Sequence, residues 1–197
     1  MNIRYAYDPV RAEQLLEQAG WLKGSDGIRA RVSQRLSFTL WTIAGHTILE
    51  QYATVMQQQW KSVSVDMTPK TEDFQSLVTR ISETHDFEAV LLGFGWGVDP
   101  DQTTLWASDS YPKGSNYNRY SNAQVDALLR RGFGEPDPAM RKQIYVDMQN
   151  ILMDEMPTLV FDFPQGIAGV NTRVHNLLPN AINFHWNAHT FWVDDGR

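Results

Sequence analysis

The chain has 197 residues, a formal net charge of −6, 42% hydrophobic and 20% charged residues, and no cysteine. At about 150 residues per domain the length fits one domain with an appendage, and the composition is globular, which excludes wholesale disorder. The acidic balance excludes a nucleic-acid partner, whose phosphates demand clustered positive charge, and the missing cysteines exclude disulfides, thiolate metal sites and cysteine nucleophiles.

No apolar run approaches the roughly 18 residues needed to cross a bilayer. The start, Met1 to Asp8, lacks the charged-then-apolar layout of a secretion signal, so either a cytoplasmic protein or a mature or cut-down form is expected. A helix is predicted from Asp8 to Gly20: Asp8 caps it, Pro9 suits its first position and Gly20 its left-handed exit, with Leu15, Leu16 and Ala19 on one apolar face. After the turn Gly24 to Gly27, Leu36, Phe38 and Leu40 alternate with Ser37 and Thr39, the period of a strand. Ile48, Leu49, Tyr52, Val55, Met56 and Trp60 repeat at helical spacing, and Val63, Val65 and Met67 alternate again. A further helix is predicted over about Thr71 to Glu83, with Glu72 and Asp73 in its first turn and Phe74, Leu77, Val78 and Ile81 on one side. The run from Ala89 to Trp96 is a buried strand candidate.

This order is β-α-β-α-β, which favours a parallel sheet with right-handed crossovers. Ligands of such sheets sit beyond the carboxyl ends of the strands, so the loops after Leu40, Met67 and Phe94 matter most. Residues 95–120, rich in Gly, Asp, Ser, Asn and aromatics, read as a long functional loop with one short helix near Asp101 to Trp106. Ser121 and Gln124 form a capping box opening a helix through Val125, Leu128 and Leu129 to Gly132. Asp137 and Pro138 start another, carried by Met140, Ile144, Tyr145, Met148, Ile151 and Leu152, and Pro157 to Phe163 reads as a strand with Leu159, Phe161 and Phe163 on one face.

Catalytic and metal motifs are weak. His185 and His189 have helical metal spacing but lie in an extended, irregular stretch with no acidic residue between them. No Gly-x-Ser-x-Gly elbow frames a nucleophile, and the Gly93 to Gly97 glycines do not complete a dinucleotide fingerprint. No enzyme and no cofactor is therefore expected. Asp99 and Asp101 suit a helix N-terminus. Asp99 also shares a glycine-rich turn with Trp96, and an indole face beside a carboxylate suits a cationic or amine-bearing ligand.

Five ordered motifs over about residues 5–178 resemble the solute-binding proteins of peptide/nickel-type (family 5) ABC transporters. They are Tyr7-Asp-Pro-Val-Arg-Ala-Glu-Gln-Leu-Leu-Glu-Gln-Ala-Gly-Trp21, Gly95-Trp-Gly-Val-Asp-Pro-Asp101, Gly114-Ser-Asn-Tyr-Asn118, Tyr120-Ser-Asn-Ala-Gln-Val-Asp-Ala-Leu-Leu129, and Arg141-Lys-Gln-Ile-Tyr-Val-Asp-Met-Gln149 with Met156-Pro157 after it. The resemblance implies an α/β lobe of the type II periplasmic-binding-protein fold, with residues 1–178 as the C-terminal ligand-binding lobe and residues 179–197 as an aromatic tail returning toward an N-terminal lobe. In the peptide-binding members the residue matching Asp99 holds the ligand's α-amino group, Trp96 matches a wall of the binding site, and the loop with Asn116 and Tyr117 lies beside it. Oligopeptide-binding relatives carry an Arg in the strand before the Trp. Here Gly93 stands there and no basic residue occurs from Asp86 to Val98, so carboxylate recognition of long peptides is in question. The spacing from Phe87 to Trp96 is longer than in those relatives, which makes Phe94 an alternative wall residue.

The implied function is the extracytoplasmic solute-binding subunit of an ABC importer, periplasmic or extracellular and membrane-tethered if a lipoprotein. It captures a peptide or related small amine-bearing solute between two lobes and delivers it to the permease subunits. The family also spans nickel complexes, opines and sugars. The alternatives are the ligand-sensing domain of a transcription regulator and a hydrolase on the same scaffold, which lacks nucleophile or metal support. The tail rings Phe184, Trp186, Phe191 and Trp192 are expected to be partly exposed and to promote self-association of the isolated lobe.

Overall fold

The computed structural model describes residues 5–95, 97–164, 166–180 and 183–195. Helix α1 (Pro9–Gln18) starts as expected: Asp8 accepts a hydrogen bond from the Arg11 N–H, Pro9 holds the first turn and Gly20 takes φ +84° just past the end. Its predicted apolar face is not buried, however; Leu15 is 49% exposed. The helix is held instead through Arg29, whose side chain is only 1% exposed and reaches Glu13 at 3.5 Å and Glu17 at 3.3 Å. The same guanidinium donates to the carbonyls of Trp21 and Val63, each at 2.9 Å. Arg29 belongs to a small antiparallel sheet that hydrophobic periodicity does not reveal: β1 (Leu22–Lys23), β2 (Arg29–Arg31) and β3 (Gln34–Arg35).

The central unit is a parallel sheet in the order β5-β4-β6, formed by β4 (Ser37–Ile43), β5 (Asp66–Glu72) and β6 (Ala89–Val90). Helix α2 (Thr47–Ser62) connects β4 to β5, and α3 (Phe74–Thr79), continued by a π-turn over Arg80–Thr84, connects β5 to β6. The β-α-β-α-β reading therefore holds. Leu40, Leu49, Ala53, Met67 and Leu91 form its buried cluster, with Phe38, Tyr52 and Trp60 packed on it. Three boundaries differ from expectation. Of the run predicted as a strand from Ala89 to Trp96, only Ala89–Val90 forms β6, and residues 91–95 are not strand. The β5 strand begins at Asp66 and takes in the polar run through Glu72, so Thr71 and Glu72 are strand, and Asp73 caps α3 by accepting from the Ser76 N–H. Pro69 is tolerated because β5 is an edge strand.

A second core lies between α5 (Ala123–Gly134) and α6 (Pro138–Glu155), where Val125, Leu128, Leu129, Ile144 and Met148 are buried with Ala107. Asp137 caps α6 as predicted, accepting from Ala139 N–H at 2.8 Å and Met140 N–H at 2.9 Å. The cap of α5 is Asn122, not Ser121. The Asn122 amide oxygen accepts from both Gln124 and Val125 N–H groups, while the Ser121 hydroxyl bonds to Ser108 at 3.0 Å.

After α6 the prediction fails. No strand occurs among residues 157–164; a strand needs a neighbour to complete its ladder, and the described residues supply none. Leu159, Phe161 and Phe163 are 48%, 50% and 64% exposed. The segment touches α2 through Tyr52, whose hydroxyl donates to Asp162 at 2.7 Å and whose ring stacks on Phe161. Further on, β7 (Val174–His175) pairs antiparallel with β8 (Trp192–Val193), and the His175 and Trp192 rings stack at 4.0 Å.

Candidate functional site

The site forms where the central sheet ends. The chain leaves β6 with the Leu91 N–H donating to the Trp41 carbonyl and the Thr42 hydroxyl donating to the Leu91 carbonyl, which fixes the exit of the strand. It then runs without regular structure through Gly93, Phe94 and Gly95. An added Cβ at Gly93, Gly95 or Gly97 would meet nothing within 4 Å, so the backbone here borders open space. Trp96 lies outside the described residues.

Phe94 is 48% exposed and stacks on Tyr117, ring centroids 6.5 Å apart at 30°. Thus the structure joins two of the sequence-predicted site residues into one aromatic wall. The loop carrying Tyr117 is built tightly. The Gly114 N–H bonds to the Ser110 carbonyl, and a Cβ at Gly114 would stand 2.7 Å from that oxygen, so glycine is required by close approach. Asn116 is only 2% exposed, and its amide nitrogen donates to the Ala107 and Tyr120 carbonyls while its oxygen accepts from the Tyr120 N–H. A side chain so enclosed holds the loop in shape. Asn116, a sequence-predicted site residue, therefore braces the loop that carries Tyr117.

Asp99 is 63% exposed, in the turn that follows the glycines. Its Oδ1 accepts from the Asp101 N–H and from Arg141 Nη2, both at 2.8 Å. The Arg141 hydrogen bond, helped by that backbone N–H, holds the Asp99 carboxyl below its ordinary value, so it is ionised at neutral pH. Arg141 is itself anchored: Nε donates to the Gly132 carbonyl at 2.8 Å and the guanidinium lies over the Tyr145 ring. The helix-terminus reading suits Asp101, whose Oδ1 accepts from the N–H and hydroxyl of Thr103 at the start of α4 (Thr103–Trp106).

Sequence reasoning missed Arg141, because a partner 42 residues away leaves no local spacing signal. His185 and His189 are not joined by further donors; among the described residues no group of three or more His, Asp or Glu side chains is placed to hold a metal ion. Among the same residues no helix is long and apolar enough to cross a membrane.

Residues 2–116 match the family described as bacterial extracellular solute-binding proteins, family 5 Middle. The oligopeptide-binding protein AppA of Bacillus subtilis is 28% identical over 192 residues, which is 96% of this chain but 35% of that relative. The chain thus spans about a third of that relative's length. The solved structure of AppA from Bacillus subtilis in complex with a nonapeptide superposes with a TM-score of 0.79 at 24% identity, covering 95% of this chain and 38% of that one. NikZ from Campylobacter jejuni, in complex with Ni(L-His), gives a TM-score of 0.70 at 24% identity over 78% of this chain and 31% of its own. Each superposes only in part, consistent with one lobe of that fold. The chain belongs to the bacterial extracellular solute-binding proteins of family 5.

Proposed function

We propose that this chain is the ligand-binding lobe of an extracytoplasmic solute-binding subunit of an ABC importer, and that Asp99 holds the ammonium of a peptide or small amine-bearing solute. The observation that carries this reading is the ionised, largely exposed Asp99 carboxylate in the glycine-bearing loop that leaves the last strand of a parallel sheet, the loop that also carries Phe94 of the Phe94–Tyr117 wall. Residues 1–178 form the C-terminal lobe and residues 179–197 the tail; the rest of the longer protein supplies the opposing lobe and the surface that meets the permease. The protein acts by capture and release, in the periplasm or outside the cell, and not as an enzyme. The regulator alternative has no support among the relatives described above.

The test is Asp99→Asn in a titration of this chain with trialanine, followed by amide NMR shifts at millimolar probe. The expected result is a loss of about tenfold or more in affinity, since a charge-assisted hydrogen bond becomes a neutral one. Unchanged affinity removes Asp99 from the site.

Self-association through the tail belongs to the same proposal in narrower form. Trp186 and Trp192 are each 51% exposed, but Phe184 and Phe191 are half-buried, so the apolar patch is smaller than four open rings. Sedimentation of the chain and of Trp192→Ser tests it: equal, monomeric behaviour of both rejects the idea.

A further inference from the structure

The carboxylate assigned to the ligand ammonium already has a cation beside it. Arg141 is not a loose surface side chain: it is 24% exposed, and bonds to the Gly132 carbonyl and to Asp99 fix its guanidinium in place. Two of its five N–H donors serve those bonds, and donors remain over. Both hydrogen bonds to Asp99 fall on Oδ1, and no hydrogen bond among the described residues reaches Oδ2. Arg141 also lines an open, mainly apolar groove of about 380 Å³ with Pro100, Pro138, Tyr145, Val146 and a second cation, Lys142, next to the Asp99 turn.

Such a pair is selective in a way that a lone carboxylate is not. An ammonium approaching Oδ2 gains the carboxylate but meets a fixed positive charge nearby. The repulsion is offset only if the same ligand brings an oxygen acceptor to the unused guanidinium N–H groups. We propose that Arg141 makes Asp99 a site for an ammonium with a carbonyl or carboxylate oxygen close to it in the same molecule, as in a peptide amino terminus or a free amino acid, and that it disfavours a bare amine. This rests on the reading of Asp99 as the ammonium partner. It also places a guanidinium at the site although residues 86–98 contain no basic side chain.

The experiment compares trialanine with n-butylamine on this chain, by amide NMR shifts, for the parent, Arg141→Gln, Arg141→Lys and Asp99→Asn. The parent is expected to prefer trialanine by about tenfold or more, the worth of a hydrogen bond to a charged group. In Arg141→Gln the preference collapses toward unity, with trialanine weaker and n-butylamine tighter. Arg141→Lys keeps the charge without the planar fork and falls between, which guards against a Gln variant that does not fold. If Asp99→Asn abolishes binding of both probes but Arg141→Gln and Arg141→Lys keep the parent preference, the inference fails and the Asp99 reading stands. If Asp99→Asn changes neither probe, both fall.

Discussion

The helix pair α5–α6 and the segment that follows it are similarly apolar in sequence but opposite in structure. Leu128 and Leu129 are 6% and 1% exposed, whereas Leu159 and Phe163 are 48% and 64% exposed. The first region finds its partner within about 30 residues of chain, so its pattern and its packing agree. The second carries strand-like apolar residues with no neighbouring strand among the described residues, and holds to the rest through polar and ring contacts: Asn118 donates to the Pro157 carbonyl and the Thr158 hydroxyl, and Tyr52 meets Asp162 and Phe161. Hydrophobic pattern states what a segment would bury. It does not state where the cover comes from.

The contrast should appear most strongly in Leu129→Ala, which opens a cavity in the α5–α6 core and is expected to cost about 2–5 kcal/mol by denaturant unfolding. A loss below about 1 kcal/mol would mean that this core is not closed as described. Arg29→Leu comes next. It leaves the Trp21 and Val63 carbonyls and two carboxylates without their donor; breaking a buried pair costs about 3–5 kcal/mol, and because Glu13 and Glu17 are 40% and 56% exposed the lower end, about 3 kcal/mol, is expected.

Asp137→Ala should cost about 0.5–2 kcal/mol through loss of the α6 cap, whereas Ser121→Ala should cost less than Asn122→Ala, since Asn122 caps α5. Equal losses at Ser121 and Asn122 would return the cap to Ser121. The Asp99–Arg141 pair adds a pH dependence. Its carboxyl is depressed in the folded state, so its contribution is full above its ordinary value of 3.8 and is lost as pH falls through the lower folded value. The difference in melting temperature between the parent and Asp99→Asn should therefore shrink as pH is lowered past the ordinary carboxylate value of 3.8; a constant difference would show that the pair does not stabilise the fold. The smallest effect belongs to Phe163→Ala, expected within about 0.5 kcal/mol because the ring is already exposed. A loss like that of Leu129→Ala would erase the contrast between the two regions.

Where burial follows local period, the sequence is readable. The β4 strand and the α2, α5 and α6 helices lie close to their predicted places because their apolar spacing matches the face they bury. The β5 strand extends past its apolar start because register with β4, from Ser37 opposite Asp66 to Ile43 opposite Glu72, recruits polar residues and a proline onto an edge. Ser121 and Asn122 are adjacent cap formers. The loop near Ser108 engages the serine, and the longer asparagine side chain reaches two N–H groups, a choice made by tertiary contact. The site was half legible. Asp99, Phe94 and Tyr117 stand out by composition and resemblance, but the burial of Asn116 and its bonds within the loop are visible only in the structure, and Arg141 is joined to Asp99 only by folding.

The most direct test of the proposed binding lobe is calorimetric titration of the 197-residue chain with trialanine. One lobe supplies part of the contacts while the entropic cost of capturing the ligand is undiminished. The expected result is weak binding, with a Kd of about a millimolar, that Asp99→Asn weakens further. Binding at about a micromolar or tighter would contradict the account, because this chain would then be a complete binding protein and not one lobe of a longer one.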